Sequence, residues 1–269
     1  MLSDDEFRRL LAYLDRPWAG FRKVRKGVKK RVRRHMQSLG CITVDSYIDR
    51  IHGDQYSKEV CEQHLLVTIS RFFRDHALWT HLQNQILPGL MDRFPGGLAA
   101  WSAGCANGEE PYTLAMLWAE RFAGVSFSPA LRILATDADS GCIQRAETGR
   151  YPPSSLKEVP GPYKIRWFAK APGKHEWQVD PSLKNLITWQ HHQLLDPPPP
   201  GPFQIILLRN NLLTYHQGPE MLTALTHIIK TLSAGGVLIL GSHERLPPSP
   251  RPLKRDAACP WIYRALDQK

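Results

Sequence analysis

Four stretches of this chain hold residues whose types and spacing could do chemistry, and three of them lie where an apolar run ends, the place where open α/β sheets present ligands. WSAGCANGEEPYTLAM follows a predicted strand and opens a predicted helix, and Gly104 and Gly108 let the backbone approach a ligand closely. Their spacing, G-x-x-x-G, lacks the tight G-x-G-x-x-G turn that cradles a pyrophosphate, so a dinucleotide is disfavoured. A ligand with adenosine and no phosphate fits better, and S-adenosylmethionine is the commonest such molecule. The next strand ends in Ala135-Thr136-Asp137, where the carboxylate can accept hydrogen bonds from both hydroxyls of a ribose. Capping the following helix is the alternative role, and Asp139 suits that better. Glu109-Glu110 resembles a catalytic carboxylate pair, yet acids in a first helical turn also serve as simple dipole partners, and both readings stand. FQIILLRNNLLTYH ends in Arg209-Asn210-Asn211 and then Tyr215, either facing a cleft or forming a loop that caps helix 217–233. In TISRFFRD a pair of Phe anchors would fix Arg74 at a junction between two units.

The elements that must position these groups follow from the periodicity. From residue 98 short apolar strands alternate with helices (LAAWSA, 108–123, LRILATD, 139–147, NLITWQ, FQIILLRN, 217–233, GVLILGS), which predicts a parallel sheet with helices on both faces. Residues 150–185, rich in Pro, Lys and aromatics, interrupt the rhythm as an irregular or small β insertion. Residues 1–70 read as short helices, the first capped at Ser3 with Glu6 closing a capping box, later ones near 43–52 and 57–67. Residues 71–97 link the two parts through one more helix. With 269 residues and 42% hydrophobic composition, the chain can build one large or two modest cores. No run of about 18 apolar residues occurs, and the first twenty residues carry charges throughout, so a soluble, unexported, cytoplasmic protein without membrane insertion is expected. Cysteines at 41, 61, 105, 142 and 259 form no C-x-x-C, which predicts reduced thiols and no metal site.

The net charge of +10 is local: residues 22–34 hold nine Lys or Arg (Arg22, Lys23, Arg25, Lys26, Lys29, Lys30, Arg31, Arg33, Arg34) and no acid. Phe21, Val24, Val28, Val32, Met36 and Leu39 recur at helical spacing, so this is a helix with one buried stripe and a cationic face, closed by Gly40. A solvated face is the plain reading. Self-repelling charge of this density also fits an anionic partner, whether nucleic acid, membrane or acidic protein.

In order along the chain, the basic helix, FFRD, WSAGCANGEEPYTLA, ATDAD with the later ETGRY, GPFQIILLRNNLLTY and GGVLILGSHE together resemble the CheR family of chemotaxis receptor methyltransferases. That resemblance implies a Rossmann-like class I methyltransferase sheet preceded by a small all-α N-terminal domain, with a small inserted β subdomain. It implies S-adenosylmethionine as cofactor, S-adenosylhomocysteine as product, and esterification of receptor glutamates. Carried over position by position, it assigns cofactor contacts to Thr68, Ser70, Arg74, Glu110, Asp137, Gln193, Leu194, Leu208 and Arg209, beside the Gly104 read from its loop. It places Asn210 and Tyr215 nearest the methyl and makes Arg74, Tyr215 and Asn210 the catalytic set. The chain departs from the family at Ser70 (usually Thr), Gln193 (usually Asn), Gln204 (usually Asp) and Leu208 (usually Cys). Family members that dock a receptor tail carry a glycine-rich hairpin in the insertion. WFAKAPGKHEW has one glycine, so tail docking is not expected.

A glutamate carboxylate, with an ordinary pKa near about 4.3, is already a nucleophile at neutral pH and needs no general base. In this reading the basic helix attracts an acidic helical protein bearing the target glutamates. The rivals are a same-fold enzyme acting on a small molecule or another protein, a nucleic-acid binder, and a cofactor sensor without catalysis. The basic helix lacks the interleaved aromatics of single-strand binders, which weighs against nucleic acid.

Overall fold

The computed structural model describes residues 2–122, 129–172, 175–249 and 251–267. By contacts the chain forms two units, Met1–Thr68 with Asn211–Leu222 and Ile69–Asn210 with Thr223–Lys269. In chain order the first elements are α1 (Asp4–Tyr13), α2 (Trp18–Phe21), α3 (Arg25–Ser38), α4 (Val44–Gly53), α5 (Gln55–Leu65), α6 (His76–His81), a π-helical turn (Leu82–Ile86) and α7 (Leu87–Arg93). There follow β1 (Gly97–Ala103), α8 (Glu109–Arg121), β2 (Ala130–Asp137), α9 (Ser140–Thr148), β3 (Arg150–Tyr151), α10 (Gly161–Trp167), β4 (Phe168–Lys170) and β5 (Trp177–Val179). The last are β6 (Ile187–His191), β7 (Phe203–Leu208), α11 (Leu212–Tyr215), α12 (Gly218–Lys230), β8 (Leu232–Leu240), β9 (Leu253–Arg255) and β10 (Ile262–Ala265).

In the helical unit the local signals act as read. Ser3 and Glu6 close the capping box of α1, Thr43 caps α4, and Gly40 leaves α3 at φ +70°. Phe21, Val28, Val32 and Met36 face a core shared with Phe7, Leu10, Tyr47 and Ile51. The segment 211–222, placed with the α/β domain in the sequence reading, groups with this unit instead.

Part of the cationic face is used internally. Asp4 accepts from Lys29 at 2.8 Å and pairs with Arg25 at 3.1 Å. Arg31 donates to the carbonyls of His64 (2.9 Å) and Leu66 (2.7 Å), capping the end of α5, and Arg33 reaches the Ile42 carbonyl at 3.2 Å. Arg22, Lys23, Lys26, Lys30 and Arg34 are exposed and form no ion pair among the described residues.

In the α/β unit the strands of the large sheet run in the order β6-β2-β1-β7-β8-β10-β9. The first five are parallel, and β10 pairs antiparallel with both β8 and β9. The five strands expected from the sequence are thus parallel, and two further strands that it did not reveal extend the sheet antiparallel. Its last two strands, LKR and IYRA, are too short to display a period of two. Strand order reverses at β1, which pairs β2 on one side and β7 on the other, so the carboxyl ends of β1 and β7 flank the switch point where such sheets bind ligands. The insertion is a small antiparallel sheet of order β3-β5-β4. Gly173, the one glycine of WFAKAPGKHEW, lies outside the described residues. The helix expected within residues 71–97 contains a π-helical turn just ahead of Pro88, which has no N–H to donate to the regular ladder.

Three histidines of the helical unit are held neutral. His35 Nδ1 lies 2.7 Å from the Tyr47 hydroxyl and its ring packs on His64, and burial lowers the pKa of both. Burial and the adjacent Arg16 guanidinium push His216 down from 6.5 to about 3. A depressed folded-state value means the unfolded chain binds more protons, so this stability is whole above about pH 6.5 and is lost as pH falls towards the folded values. Thermal melting followed by far-UV circular dichroism between about pH 7 and pH 4 tests this. The melting temperature falls with pH, and His216→Gln makes the slope shallower; an unchanged slope would contradict the assignment.

Candidate active site

The loop after β1 is tied to the end of β2 by two bonds to one acceptor. Gly104 N–H and Cys105 N–H each donate to the Thr136 carbonyl at 2.8 Å. The loop turns through left-handed residues Gly104 (φ +78°), Ala106 (φ +49°) and Gly108 (φ +87°) before α8 begins. A Cβ on Gly108 would sit 2.8 Å from Ala146 and from the Trp189 ring, so packing by itself requires a glycine there.

Asp137 closes the loop from the other side. Its Oδ2 accepts from Ala106 N–H at 2.8 Å and its Oδ1 from Asp139 N–H at 2.9 Å. The cap of α9 is Asp139, which accepts from Gly141 and Cys142. Asp137 is thus held by backbone with a lone pair left on each oxygen, the requirement for receiving a vicinal diol. Burial raises its pKa above the ordinary 3.8, opposed by those two backbone bonds. Gln193 and Leu194 lie in the loop after β6, next to His192, whose N–H donates to the Asp137 carbonyl at 3.0 Å.

The two glutamates of α8 separate. Glu109 is 2% exposed and accepts from the Ser155 hydroxyl at 3.2 Å, while burial raises its pKa against the Ser155 and Ser70 hydroxyls. Glu110 takes the Ser102 hydroxyl at 2.7 Å on one oxygen and Arg209 at 3.0 Å on the other. With different partners in different surroundings, they do not act as a catalytic carboxylate pair.

Arg209 has a side chain only 4% exposed. Its guanidinium donates to Glu110, to Asp75 at 2.6 Å and to the Arg74 carbonyl at 3.2 Å, and lies over the Trp79 ring at 5.5 Å. Trp79 Nε1 donates to the same Arg74 carbonyl at 2.8 Å, and Ser242 reaches Asp75 at 3.2 Å. Around this centre Phe73 (φ +56°) and Asp75 (φ +64°) adopt left-handed backbone, strained for such residues, and Arg74 lies between them. The phenylalanines are anchors as read, Phe72 edge-on to Tyr151 and Phe168, Phe73 edge-on to Tyr163.

Arg74 itself is only lightly engaged, with contacts of 3.4 Å to Asn210 Oδ1 and to the Ile69 carbonyl. Most of its five donors are left for a ligand. Asn210 (φ +56°) donates its N–H to Glu244 at 2.8 Å, and the same carboxylate takes Gly241 N–H at 2.7 Å, joining the ends of β7 and β8. Leu208 is fully buried, so only its main chain can meet a ligand.

Ser70, Arg74, Gly104, Glu110, Asp137, Gln193, Leu194, Leu208, Arg209 and Asn210 all belong to the α/β unit, most at strand carboxyl ends, whereas Thr68 and Tyr215 group with the helical unit. The sequence reading gave no role to Asp75, Ser102, Ser242 or Glu244. All four lie in the quoted motifs, and a polar residue closing an apolar run was the available signal. Among the described residues no cluster of His, Cys, Asp or Glu could hold a metal ion, and no helix is long and apolar enough to cross a membrane.

Comparison with known proteins agrees with this geometry. The family described as CheR methyltransferase, SAM binding domain, matches residues 68–259. A probable chemotaxis protein methyltransferase of Rhizobium etli is 30% identical over 227 residues, covering 81% of this chain and 84% of that protein. A chemotaxis protein methyltransferase of Listeria monocytogenes is 29% identical over 219 residues, covering 81% of each. An uncharacterized 104.1 kDa protein of Rhodobacter capsulatus is 29% identical over 221 residues, and there this chain spans only 23% of its relative's length.

S-adenosylmethionine fits the residues present: a backbone-held carboxylate for the ribose at Asp137, an oriented carboxylate for an ammonium at Glu110, and guanidinium donors for a carboxylate at Arg74. Hydrogen bonds to a charged group contribute about 1.5–3 kcal/mol, so Asp137→Asn should weaken S-adenosylhomocysteine binding by about tenfold or more in calorimetry. Wild-type affinity should also fall as pH drops into the raised titration range of Asp137, a dependence the variant loses. Equal affinity in the two proteins would remove Asp137 from the site.

Proposed function

Because the chain belongs to the CheR methyltransferase family and is an S-adenosylmethionine-dependent methyltransferase, we propose that it esterifies glutamate side chains on an acidic helical protein, such as the cytoplasmic part of a chemotaxis receptor. The observation that carries the acceptor class is the exposed remainder of the cationic face. Lys26, Lys30 and Arg34 recur every fourth residue along α3, with Lys23 just before it, and all four are exposed. A row of cations at helical spacing complements an acidic helix. The names of the relatives from Rhizobium etli and Listeria monocytogenes support a chemotaxis setting and, with it, action in the cytoplasm.

When bound, the cofactor supplies an electrophilic methyl group on a sulfonium. A glutamate carboxylate attacks it in line, and the carboxylate needs no base because it is ionised at neutral pH. The chain's task is alignment, from which about 7–11 kcal/mol of the barrier can come. Asp137 and Glu110 hold the cofactor's two ends, with Ser70 and the 192–195 loop beside them. Arg74 orients a carboxylate through charge-assisted bonds, Asn210 fixes Arg74, and Tyr215 holds the acceptor oxygen or shields the methyl. Esterification removes one negative charge from the acceptor, so product binds the cationic face more weakly than substrate and leaves.

Labelled cofactor and a purified chemoreceptor cytoplasmic fragment test the proposal. Label should enter the fragment as a base-labile ester released as methanol, and should vanish when the target glutamates are replaced by glutamine. Base-stable label, or label only on small molecules or other proteins, would refute the acceptor assignment. Reversing Lys23, Lys26, Lys30 and Arg34 to Glu should raise KM by about tenfold or more and flatten its dependence on salt, with kcat nearly unchanged.

A further inference from the structure

The helical unit does more than display charge. Within it, α2 approaches α11 so closely that a Cβ on Gly20 would run into the Thr214 carbonyl oxygen. Next to it the buried Phe21 ring lies 5.1 Å from the Tyr215 ring at a tilt of 59°. Arg16, its side chain 12% exposed, donates to the Tyr215 carbonyl at 3.5 Å and contacts the His216 ring at 2.7 Å, with Glu62 at 3.7 Å as counter-ion. Main-chain bonds from Tyr215 and His216 to Asn211 and Leu212 complete the turn. Tyr215 is thus gripped by backbone, by ring and by a fixed cation.

This grip is costly to build. The Arg16 guanidinium is largely withdrawn from water with a neutral imidazole against it, and Gly20 forgoes the helix propensity of an alanine, whose Cβ the Thr214 carbonyl would exclude. An exposed loop tyrosine needs none of this. Phe21 also lies four residues before the first residue of α3, and the chain between them is fixed by bonds from Arg22 to Trp18 and from Val24 to Phe21.

We propose that Gly20, Phe21 and Arg16 are positioning residues for methyl transfer: they seat Tyr215 on the same body as the cationic face, so that the surface reading the acceptor and the tyrosine acting on it move together. The proposal rests on the role given to Tyr215 above and adds the device that aims it. The three residues act through Tyr215 and its neighbours, so their loss should appear in turnover and leave binding intact. Misplacement of a reacting group by about 1 Å can cost on the order of a hundredfold in rate.

The experiment compares wild type, Tyr215→Phe, Phe21→Leu, Phe21→Tyr and Gly20→Ala. It measures kcat and KM with the chemoreceptor fragment, S-adenosylhomocysteine affinity by calorimetry, and the fluorine resonance of 3-fluorotyrosine at position 215, assigned by its absence from Tyr215→Phe. Phe21→Leu and Gly20→Ala should lower kcat by about tenfold or more with KM and cofactor affinity within about twofold, and should shift or broaden the Tyr215 resonance. Phe21→Tyr, which keeps the ring, should restore most of the rate. Wild-type kcat in Phe21→Leu and Gly20→Ala, with Tyr215→Phe impaired, would overturn the proposal. Wild-type turnover in Tyr215→Phe would overturn the tyrosine's role and the proposal with it. If wild type leaves the fragment unmethylated, the acceptor assignment falls, and the resonance alone decides the seat: no change in Phe21→Leu overturns it.

Discussion

A guanidinium that is almost wholly withdrawn from water must be surrounded by acceptors, and Arg209 imposes that demand at the end of β7. Its two terminal nitrogens are met from two directions, by Glu110 at the head of α8 and by Asp75 ahead of α6, while Nε is buried without a partner among the described residues. The Arg74 carbonyl takes a further bond. Deleting one partner of such a buried pair typically costs about 3–5 kcal/mol, because the remaining charge is stranded. The left-handed backbone at Phe73 and Asp75 exists to bring that carbonyl and that carboxylate to the cation. Between these two residues the Arg74 side chain lies beside Asn210 with most of its donors unspent.

The division between spent and available charge organises the molecule. Arg209 is paired within the protein with Glu110 and Asp75, whereas Arg74 makes only two long contacts and Asp137 is held by backbone N–H groups alone. The same holds in the helical unit, where Asp4, the end of α5 and the Ile42 carbonyl consume Arg25, Lys29, Arg31 and Arg33. The five remaining cations face outward. A positioned charge is made from one that is held and one that is offered, and each site here contains both.

Features set by short-range physics were legible in the sequence. Ser3 with Glu6, Thr43 and Gly40 mark helix ends because capping needs a side-chain oxygen or a left-handed residue at a fixed place. Asp139, not Asp137, caps α9 for the same reason, and Asp137 accepts instead from the Ala106 and Asp139 N–H groups. The motifs that resemble the CheR family sit largely at carboxyl ends of adjacent strands, as the alternation of strands and helices required. Long-range pairing stayed hidden. Nothing local in LKR or IYRA reveals that they extend the sheet, and nothing in Arg209 reveals that its partners Asp75 and Glu110 lie 134 and 99 residues upstream. The split of the basic face was equally invisible, since partners such as Asp4 and the carbonyls of His64 and Leu66 are neighbours only after folding. The grouping of 211–222 with the helical unit depends on Gly20 and Phe21, far away in sequence.

If Arg209 is the shared pivot, Asp75 affects cofactor binding only through that guanidinium, and its loss is not independent of the loss of Glu110. The most direct measurement is a double-mutant cycle on S-adenosylhomocysteine affinity with Asp75→Asn, Glu110→Gln and the combination, read by calorimetry. A coupling energy of about 1 kcal/mol or more is the expected result, because each substitution releases the guanidinium that orients the other carboxylate. Additivity within about 0.3–0.5 kcal/mol would show that Arg209 transmits nothing between them and would contradict the account.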